Sequence, residues 1–397
     1  MEFTTISALE YCKFVTDGTH DSPKAKEHGH KLITSKHLKR YELDFESANY
    51  ISEDDYRKII ERSSVEQWDI LFSMIGTIGN LYIETNSKID YACKNMGIFQ
   101  MGRDEMKAKW LYYYLQTPRA QEYIKGVARG TTQGYVPLSA LRQLPVVIID
   151  DNARDKIVSF LWNLDEKIRN NIAINNNLAE QAQAILSQYM KSFSHEMQPL
   201  SLIADVIDCL HSKKPDMVEN SGFQLIQLDN IRDDGFLDLN ACKYMISKAD
   251  YENWTRKCEI VEGDCVITNV GRIGAISQAP FGTHAAMGRN MTCIRLKSGY
   301  NLKSYFITVL LSHHMRVQIM SNTDEGTIMG ALNVKNIPKL LFPIFDEPTM
   351  YQLEKTLSPI RKQIEFLNLM NQRLTSMRDS LLPKLMSGQL DVSSIEI

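Results

Sequence analysis

Basic and histidine side chains are concentrated in one short stretch of the chain, from Lys24 to Arg40. Against a single acid, Glu27, this stretch carries Lys24, Lys26, His28, His30, Lys31, Lys36, His37, Lys39 and Arg40. Cations at this density can neutralise phosphates over a short front, although the whole chain has a net charge of −3. The stretch predicts either phosphate contacts with a nucleic acid or a solvated loop, which is the commoner outcome for a run of charges.

A second candidate for contacts with a nucleic acid is the polar loop Arg129-Gly-Thr-Thr-Gln-Gly134, whose donors and acceptors suit base edges and phosphates. The chain consists of two similar halves, as the repeated motifs described below indicate. The loop at the corresponding place in the second half, Asn322 to Thr327, has different side-chain chemistry. Two halves that read different sequences would show this difference, and ordinary divergence of loops explains it equally well. Our candidate DNA-binding residues are Thr19, His20, Lys31, Ser35, Lys36, Lys39, Arg40, Thr77, Arg129, Thr131, Thr132, Gln133, Lys213, Lys214, Asn230, Arg232, Arg272, Arg289, Asn322 and Thr327.

No constellation of residues predicts catalysis. Gly76-Thr-Ile-Gly79 and Gly271-Arg-Ile-Gly274 lack the spacing of a dinucleotide or phosphate loop, and the chain has no G-x-x-x-x-G-K-[ST]. It also has no Asn- or Asp-Pro-Pro-aromatic sequence, and no Asp/Glu-x-Lys triplet follows Pro215-Asp216. The loop histidines have no second set of ligands at a metal-like spacing; they are His20, His28, His30 and His37. We therefore predict no catalytic site and no metal site.

Composition places the chain among ordinary globular proteins. With 397 residues, 44% of them hydrophobic and 23% charged, it is long enough for two or three domains with substantial cores. The seven cysteines include no C-x-x-C and are typical of reduced thiols. The N-terminus, Met-Glu-Phe-Thr-Thr, lacks a basic region followed by an apolar run, so we expect no signal peptide. No apolar run approaches the roughly 18 residues that cross a bilayer. These features predict a cytoplasmic protein.

The sequence repeats itself at a nearly constant offset. Asp69-Ile-Leu-Phe-Ser-Met-Ile-Gly76 recurs 195 residues later as Asp264-Cys-Val-Ile-Thr-Asn-Val-Gly271, and Ser52-x-x-x-Tyr56 recurs at the same offset. Gly130-x-x-x-Gly134 recurs 196 residues later. A constant offset across unrelated motifs indicates a tandem duplication. Each half is predicted to be a mixed α and β domain followed by a long helix.

The long helix at the end of each half carries apolar residues with a mean spacing of 3.5, which is typical of a coiled-coil seam. Asp150 and Asp346 are placed to cap these helices, and Gly388 follows the second one. A single helix packed on a core is the alternative, but the two copies share even their polar interruption, Asn175 and Asn371. We expect these asparagines to meet and set the register. The predicted seam is Leu161, Leu164, Ile168, Asn175, Leu178, Ile185, Leu357, Ile360, Ile364, Leu367, Asn371, Leu374 and Leu381.

Shorter elements follow from local patterns. Glycine turns end the apolar strands Ile70 to Ile75 and Val266 to Val270, and shorter strands are predicted at Lys31 to Lys36 and Phe223 to Leu228. Val146 to Ile149 and Leu340 to Phe345 are predicted to be the closing strands. One aromatic-rich helix is predicted at Trp110 to Lys125 and another at Leu302 to Met320. A short connection near Ser194 to Pro199 joins the halves.

At this point the chain resembles the DNA specificity (S) subunit of Type I restriction–modification systems, over nearly its whole length. The most specific local match is Ser380-Leu-Leu-Pro-Lys-Leu-Met-Ser-Gly-Gln-Leu-Asp391-Val, which is similar to the common ending of that family. Asp17-Gly-Thr-His20 with Pro23 resembles a phrase found early in its recognition domains. The first helix departs from the ending, with Ile185-Leu-Ser-Gln-Tyr-Met190.

The resemblance implies an α+β fold: two pseudo-symmetric mixed α/β target-recognition domains separated by two long antiparallel coiled-coil helices. The predicted boundaries are residues 1–150 for domain 1, 151–194 for the first helix, 195–345 for domain 2, 346–388 for the second helix and 389–397 for the tail. Each domain would read half of an interrupted target in double-stranded DNA, and the helices would fix the gap. Helices of about 38 residues would be roughly 57 Å long.

The resemblance also implies that the chain is not an enzyme. It would bind two methyltransferase (M) subunits, and restriction (R) subunits would join through the complex, with no membrane involved. S-adenosylmethionine, ATP and Mg²⁺ would belong to those partner subunits, and this chain would hold no cofactor. The alternatives are a coiled-coil scaffold that binds only proteins, and a self-contained DNA methyltransferase or nuclease, which the missing motifs oppose.

Overall fold

The computed structural model describes residues 3–130, 134–324 and 330–390. The chain divides into two compact units. Unit 1 holds the chain up to Arg169 together with the part from Leu374 onward, and unit 2 is Asn170–Arg373. Two long helices, α6 (Asp151–Ser192) and α10 (Glu347–Met386), each contribute one part to either unit. Within the described residues, no helix has both the length and the hydropathy needed to cross a membrane.

Unit 1 contains the first domain. Its strands are β1 (Thr4–Ser7), β2 (Phe14–Asp17), β3 (His30–Ile33), β4 (Tyr50–Ile51), β5 (Ile70–Ser73), β6 (Leu81–Ile83), β7 (Tyr91–Cys93), β8 (Met96–Gln100) and β9 (Pro145–Ile148). Its helices are α1 (Ala8–Tyr11), α2 (Glu53–Ser63), α3 (Glu105–Tyr114), α4 (Pro118–Val127) and α5 (Leu138–Arg142). The strands form sheets in the orders β2-β8-β5-β6, β4-β3-β7 and β1-β9.

Unit 2 contains the second domain. Its strands are β10 (Glu196–Pro199), β11 (Ala204–Asp208), β12 (Phe223–Ile226), β13 (Met245–Ile246), β14 (Glu259–Val261), β15 (Cys265–Thr268), β16 (Ile276–Gln278), β17 (His284–Met287), β18 (Met291–Leu296), β19 (Thr323–Asp324), β20 (Ala331–Leu332) and β21 (Leu341–Ile344). Its helices are α7 (Lys248–Trp254), α8 (Lys303–Leu310) and α9 (His313–Ser321). The main sheets have the orders β11-β18-β15-β16 and β13-β12-β17-β14, with β10-β21 apart.

The three sheets of the first domain therefore recur in the second with the same strand order, and β14 and the pair β19-β20 are added there. In each, an antiparallel pair at the ends of the domain (β1 with β9, β10 with β21) brings the entry and exit of the chain together. The exit strand leads directly into a long helix, where Asp150 Oδ1 accepts from the Ala153 amide and Asp346 Oδ1 from the Thr349 amide. These caps satisfy amides that have no partner inside the helix. The predicted duplicated α+β fold is confirmed.

The long helices pack antiparallel in both units. In unit 1 the first half of α6 packs against the end of α10, with Leu161 and Trp162 in one core with Leu382 and Leu385. In unit 2 the second half of α6 packs against the start of α10, in a core that includes Ala182, Leu186, Leu353 and Leu357. Of the predicted seam, seven residues are buried and six are half-buried: the former are Leu161, Ile168, Asn175, Leu357, Ile364, Leu367 and Asn371, and the latter Leu164, Leu178, Ile185, Ile360, Leu374 and Leu381.

The asparagine pair differs from the prediction. Asn371 Oδ1 accepts a hydrogen bond of 2.7 Å from Asn171, and Asn175 is buried one turn further along α6. Within unit 2 the two helices run antiparallel, so equivalent residues of the two copies need not lie opposite each other, and Asn171 is the residue opposite Asn371.

Three local predictions were also wrong. Trp110 to Lys125 is not one helix, because Thr117 caps a second helix whose first residue is Pro118. Leu302 to Met320 is likewise two helices, since the Ser312 side chain accepts from the Met315 amide and starts α9. The connection near Ser194 to Pro199 includes strand β10, which pairs with β21 in unit 2 and which the sequence alone did not indicate.

A buried polar network lies between the helices and the first domain in unit 1. Arg378 on α10 is 0% exposed, and its Nη1 donates to Asp165 of α6 at 2.5 Å. The Asp165 carboxylate also accepts from the hydroxyls of Tyr41 (2.9 Å) and Tyr113 (2.7 Å). Buried charges are tolerated when paired and hydrogen-bonded. This network therefore fixes the first domain to both helices.

Candidate nucleic-acid interface

In unit 1, several loops leave the same end of the sheet β2-β8-β5-β6. The end of β2 and the end of β5 both lie beside the start of β8, because Asp17 pairs with Gly97 and Ser73 with Met96. Strand β3 runs parallel to β7, so the loop after Ile33 emerges next to the turn that follows Cys93. We call this end the unit 1 loop face; its described segments are residues 18–22, 34–37, 74–79, 94–95, 129–130 and 134–136.

Close contacts join these loops to one another. A Cβ on Gly18 would lie 2.3 Å from the Cys93 carbonyl oxygen, so only glycine allows the loop after β2 to pack against the end of β7. Ser35 Oγ lies 3.7 Å from the place of a Cβ on Gly76. The loop from Arg129 is closed by two backbone hydrogen bonds of 2.8 Å with Tyr135, whose neighbour Val136 donates to Met74. The segments thus form one continuous surface.

An acid–histidine pair begins the loop after β2. His20 Nε2 lies 2.9 Å from Asp17 Oδ2, and His20 Nδ1 lies 2.9 Å from Asn95 Oδ1. The His20 side chain is 63% exposed, whereas that of Asp17 is 9% exposed. The imidazole is therefore held in one orientation from below while its outer surface faces solvent. An oriented, exposed ring of this kind is suited to contacts with a base edge or a phosphate.

The structure separates the unit 1 candidates into available and engaged side chains. Lys36, Thr77 and Arg129 are exposed on the loop face, beside the half-buried Ser35. Four other side chains contact protein groups instead. Lys31 lies 3.7 Å over the Tyr50 ring and donates to the Ala48 carbonyl, and the buried Thr19 hydroxyl accepts from the Asp21 amide. Lys39 forms an ion pair with Glu42, and Arg40 forms one with Asp379.

Unit 2 presents an equivalent loop face. Asp208 at the end of β11 pairs with Thr292, and Thr268 at the end of β15 pairs with Met291, so their loops share one end of the sheet. His211 Nε2 lies 2.8 Å from Asp208 Oδ2, which repeats the acid–histidine pair of unit 1. Its described segments, the unit 2 loop face, are residues 209–222, 227–230, 269–275, 288–290 and 331–333.

The unit 2 candidates divide in the same way. Lys213 and Arg289 are exposed, and among the described residues Arg289 has no ion-pair or hydrogen-bond partner for its side chain. Arg232 pairs with Asp234, Arg272 with Asp233 at 2.6 Å, and Lys214 lies 3.7 Å over the Tyr244 ring. The side-chain amide of Asn322 donates to the Gln318 carbonyl at the end of α9.

Asn230 is a correction to the candidate set. It is 0% exposed, its Nδ2 donates to the carbonyls of Asp238 and Cys242, and its Oδ1 accepts from the Gln227 amide. All of its hydrogen-bonding groups are used inside the fold, so it cannot touch DNA directly. Four further candidates lie outside the described residues: Thr131, Thr132, Gln133 and Thr327.

The histidines near the basic stretch serve separate local roles. His30 binds the carboxylates of Glu53 and Asp90 and stacks on Tyr56, and the hydrogen bond with Glu53 raises the pKa of His30. His37 is buried, its Nδ1 accepts from the Thr34 amide, and burial lowers its pKa. His28 is exposed. Since the partners of His30 and His37 are protein groups, these two histidines hold the loops in place.

Two clusters elsewhere bring potential metal ligands together, both in unit 2. In one, Cys258 and Cys293 lie near Asp264, but the Asp264 carboxylate already receives two hydrogen bonds from Arg295, at 2.7 and 2.5 Å. The guanidinium thus takes the place that a cation would need. The other is the acid–histidine pair of the loop face with the buried Cys209.

The sequence contained a signal for the acid–histidine pair that motif reasoning missed. Asp17-x-x-His20 recurs as Asp208-x-x-His211, at an offset of 191 rather than 195. Asn95 and Asn290, which precede β8 and β18, have positive φ angles of 53° and 65°. The second copy has Cys-Leu where the first has Gly-Thr between the aspartate and the histidine. The two pairs are therefore recognised as equivalent only when strands β2 and β11 are aligned.

The chain thus has two like domains, each with an exposed loop face and each continued by one of the two long helices. Residues 25–180 match the family model described as the Type I restriction modification DNA specificity domain. Over 419 residues the chain is 23% identical to the Type I restriction enzyme MjaIX specificity subunit of Methanocaldococcus jannaschii, covering 96% of this chain and 92% of that protein.

Among solved structures, the S subunit of a Type I restriction–modification system from M. genitalium has a similar fold. Its TM-score is 0.53 at 16% identity, covering 97% of this chain and 96% of that chain. The chain is thus similar to specificity subunits of Type I restriction–modification systems, in sequence over nearly its whole length and in fold.

Proposed function

We propose that each domain reads one half of an interrupted DNA target through its loop face. Helices α6 and α10 set the number of base pairs between the halves and dock two methyltransferase subunits, through which restriction subunits join. S-adenosylmethionine, ATP and Mg²⁺ belong to those partners. The observation that carries the proposal is the duplicated loop face, with the acid–histidine pair at the same place in both domains.

The chemistry of the two loop faces supports different half-sites. Both keep the oriented histidine, but the exposed donors around it differ: Thr77 and Arg129 in unit 1, Lys213 and Arg289 in unit 2. Base contacts specify a sequence, whereas phosphate contacts position the protein. A shared scaffold with different donors therefore favours an asymmetric target.

The complex of this chain with its methyltransferase subunit is expected to bind one interrupted sequence at least about 10³-fold more tightly than random DNA. Its affinity should fall by roughly 10³ or more between 50 and 200 mM salt if it neutralises six or more phosphates. Sequencing the methylated bases of a host that carries the system gives the target, and competition gel shifts measure the preference.

Two outcomes of this experiment would favour other functions. A complex that forms normally but has no preference for any sequence would favour a coiled-coil scaffold that binds only proteins. Methylation by this chain without a partner would favour a self-contained enzyme. Duplexes with one base pair added to the gap serve as the control for spacing.

Replacing Arg129 or Arg289 by alanine should weaken specific binding by roughly tenfold, about 1.4 kcal/mol. Both residues are exposed on a loop face, so a stability defect is not expected. If an arginine binds a base, its variant relaxes the preference at one position of one half-site. If it binds a phosphate, the variant lowers affinity uniformly and reduces the salt dependence.

Arg103 provides the matched control for these variants. It follows the opposite end of β8, its side chain is 70% exposed, and its pair with Glu66 is only 3.5 Å. Arg103→Ala is expected to change binding less than about twofold, because an exposed pair of this kind contributes little. Equal losses for Arg103→Ala and Arg129→Ala would contradict the assignment of the loop face.

A further inference from the structure

A cleft in unit 2 lies away from the loop face. It has a volume of about 500 Å³, and six of the residues around it carry the argument: Gly263, Lys303, Tyr351, Lys355, Arg361 and Lys362. Gly263 precedes β15 and Gln278 ends β16, so the cleft lies at the opposite end of the sheet from the loops after β15. One wall is a face of α10, on which Tyr351, Lys355, Ser358 and Lys362 follow one another at helical spacing.

Among the described residues, three of the four cations of this cleft lack an acidic partner, whereas its acids all accept hydrogen bonds. Among the described residues, no carboxylate lies within ion-pair distance of Lys355, Arg361 or Lys362. Glu262 forms an ion pair of 2.8 Å with Lys303. Glu354 accepts hydrogen bonds from the backbone amides of Ser304 and Tyr305 at the start of α8, and Glu365 accepts one from the Phe281 amide. With four cations and three carboxylates around it, the cleft has a small positive net charge, which favours an acidic ligand.

Arg361 is the residue with the strongest need for a partner. Its Nε is shielded from solvent and has no hydrogen-bond partner among the described residues, and its Nη2 makes one long contact of 3.5 Å with the Gly235 carbonyl. Burial lowers the pKa of Arg361, which reflects the free energy of keeping a charge with so little compensation. Arginine is suited to bidentate binding of a carboxylate.

The equivalent positions in unit 1 hold an ion pair that unit 2 lacks. Arg361 is equivalent, at an offset of 196, to Asp165, and the partner of Asp165, Arg378, is equivalent to Ala182. In unit 1 this pair is closed and fully bonded. In unit 2, Ala182 and Arg361 both border an open cavity of about 400 Å³. Unit 2 thus has a cation where unit 1 has Asp165, and among the described residues no carboxylate lies within ion-pair distance of it.

The rim of the cleft is apolar and exposed. Tyr351 is 68% exposed on α10, Phe366 is 53% exposed one turn beyond Lys362, and Phe281, which follows Pro280 of the cleft wall, is 81% exposed. Exposed aromatic rings around a half-buried arginine are typical of protein interfaces. Phosphates of a nucleic acid would leave these rings uncovered.

We infer that this cleft docks a partner protein whose carboxylate side chain, flanked by apolar residues, forms an ion pair with Arg361. The inference rests on the proposed function for the identity of the partner, the methyltransferase subunit. Lys355 and Lys362 steer the acidic segment, Arg361 receives the carboxylate, and Tyr351, Phe281 and Phe366 cover the apolar flanks. In unit 1 the closed pair Asp165–Arg378 occupies the equivalent positions, so we expect the two copies to hold their partners by different contacts.

The test uses the full chain and the purified methyltransferase subunit without DNA, by titration calorimetry. Arg361→Met is expected to weaken the complex at least tenfold, while the thermal midpoint of the free chain stays the same or rises, because an unpaired buried charge is removed. Lys355→Glu with Lys362→Glu, on the exposed rim, should also weaken binding at least tenfold. Arg373→Met, exposed on the same helix outside the cleft, should change it less than twofold.

The outcomes separate this inference from the proposed function. Unchanged affinity for the methyltransferase subunit in both the Arg361 and the double lysine variant would overturn the inference, whatever the chain does with DNA. Loss of DNA binding with a normal protein complex would overturn it in favour of a nucleic acid in the cleft. A chain that binds its partner through Arg361 but prefers no sequence would contradict only the proposed function.

Discussion

Replacing Arg378 by methionine is expected to lower the free energy of unfolding of unit 1 by about 3–5 kcal/mol. The change leaves the carboxylate of Asp165, which is 1% exposed, without its cation. The hydroxyls of Tyr41 and Tyr113 remain, but two neutral donors do not balance a buried charge. Three of the four tryptophans, Trp68, Trp110 and Trp162, belong to unit 1, so urea unfolding followed by tryptophan fluorescence reports mainly on this unit.

Two further variants make the result specific. Arg373→Met removes a cation from an exposed position of the same helix and should change stability by less than about 0.5 kcal/mol. Asp165→Leu combined with Arg378→Met removes both charges, and its loss should be smaller than the sum of the two single losses. Equal effects of Arg378→Met and Arg373→Met would show that the network does not hold unit 1 together.

The periodic parts of the molecule were predictable from sequence because their cause is local and repeated. Heptad spacing placed both long helices, and the constant offset revealed the duplication before any fold was known. Arg378 shows the limit of this reasoning. In the sequence it is a polar interruption of the seam, and only its contact with Asp165, 213 residues away along the chain, explains it.

The candidate interface was predictable only as a set of loops. The sequence identified side chains that could donate hydrogen bonds to DNA, but it could not show which of them contact other protein groups in the folded chain. Lys31 and Lys36 look alike in the basic stretch, yet Lys31 lies over Tyr50 whereas Lys36 is exposed. The Asn230 side chain could bind a base edge, but its amide group forms hydrogen bonds with three backbone groups of the protein. Such differences depend on tertiary contacts.

The two segments that were wrongly predicted to be single helices have a different explanation. The sequence of each contains a capping residue that starts a second helix, Thr117 in one and Ser312 in the other. Thr117-Pro118 is a helix start, with a capping hydroxyl and a proline at the first position, inside a run that otherwise has helical character. Strand β10 has only four residues, Glu196–Pro199, and its partner β21 lies far along the chain. Short elements of this kind gain their stability from pairing rather than from propensity.

Exchanging one domain is expected to change one half of the target and leave the other unaltered. The strand pairs define the junctions: Glu196 to Ile344 of the second domain replaces Thr4 to Ile148 of the first, since both segments begin and end in an antiparallel pair. The grafted domain must also meet the helix residues that it meets in unit 2. The chimera therefore carries Asp165→Arg and Arg378→Ala, which restore the equivalents of Arg361 and Ala182.

With the same domain at both positions, the methylated target should contain the second half-site twice and the first not at all. Specific affinity for the original target should fall by roughly 10³ or more, because each mismatched base pair costs about 1–3 kcal/mol and several are lost together. Methylated-base sequencing and competition gel shifts measure both effects, and the reciprocal chimera is the control. A target that stays unchanged, or in which both halves change, would contradict independent reading, because each loop face is built from residues of its own unit alone.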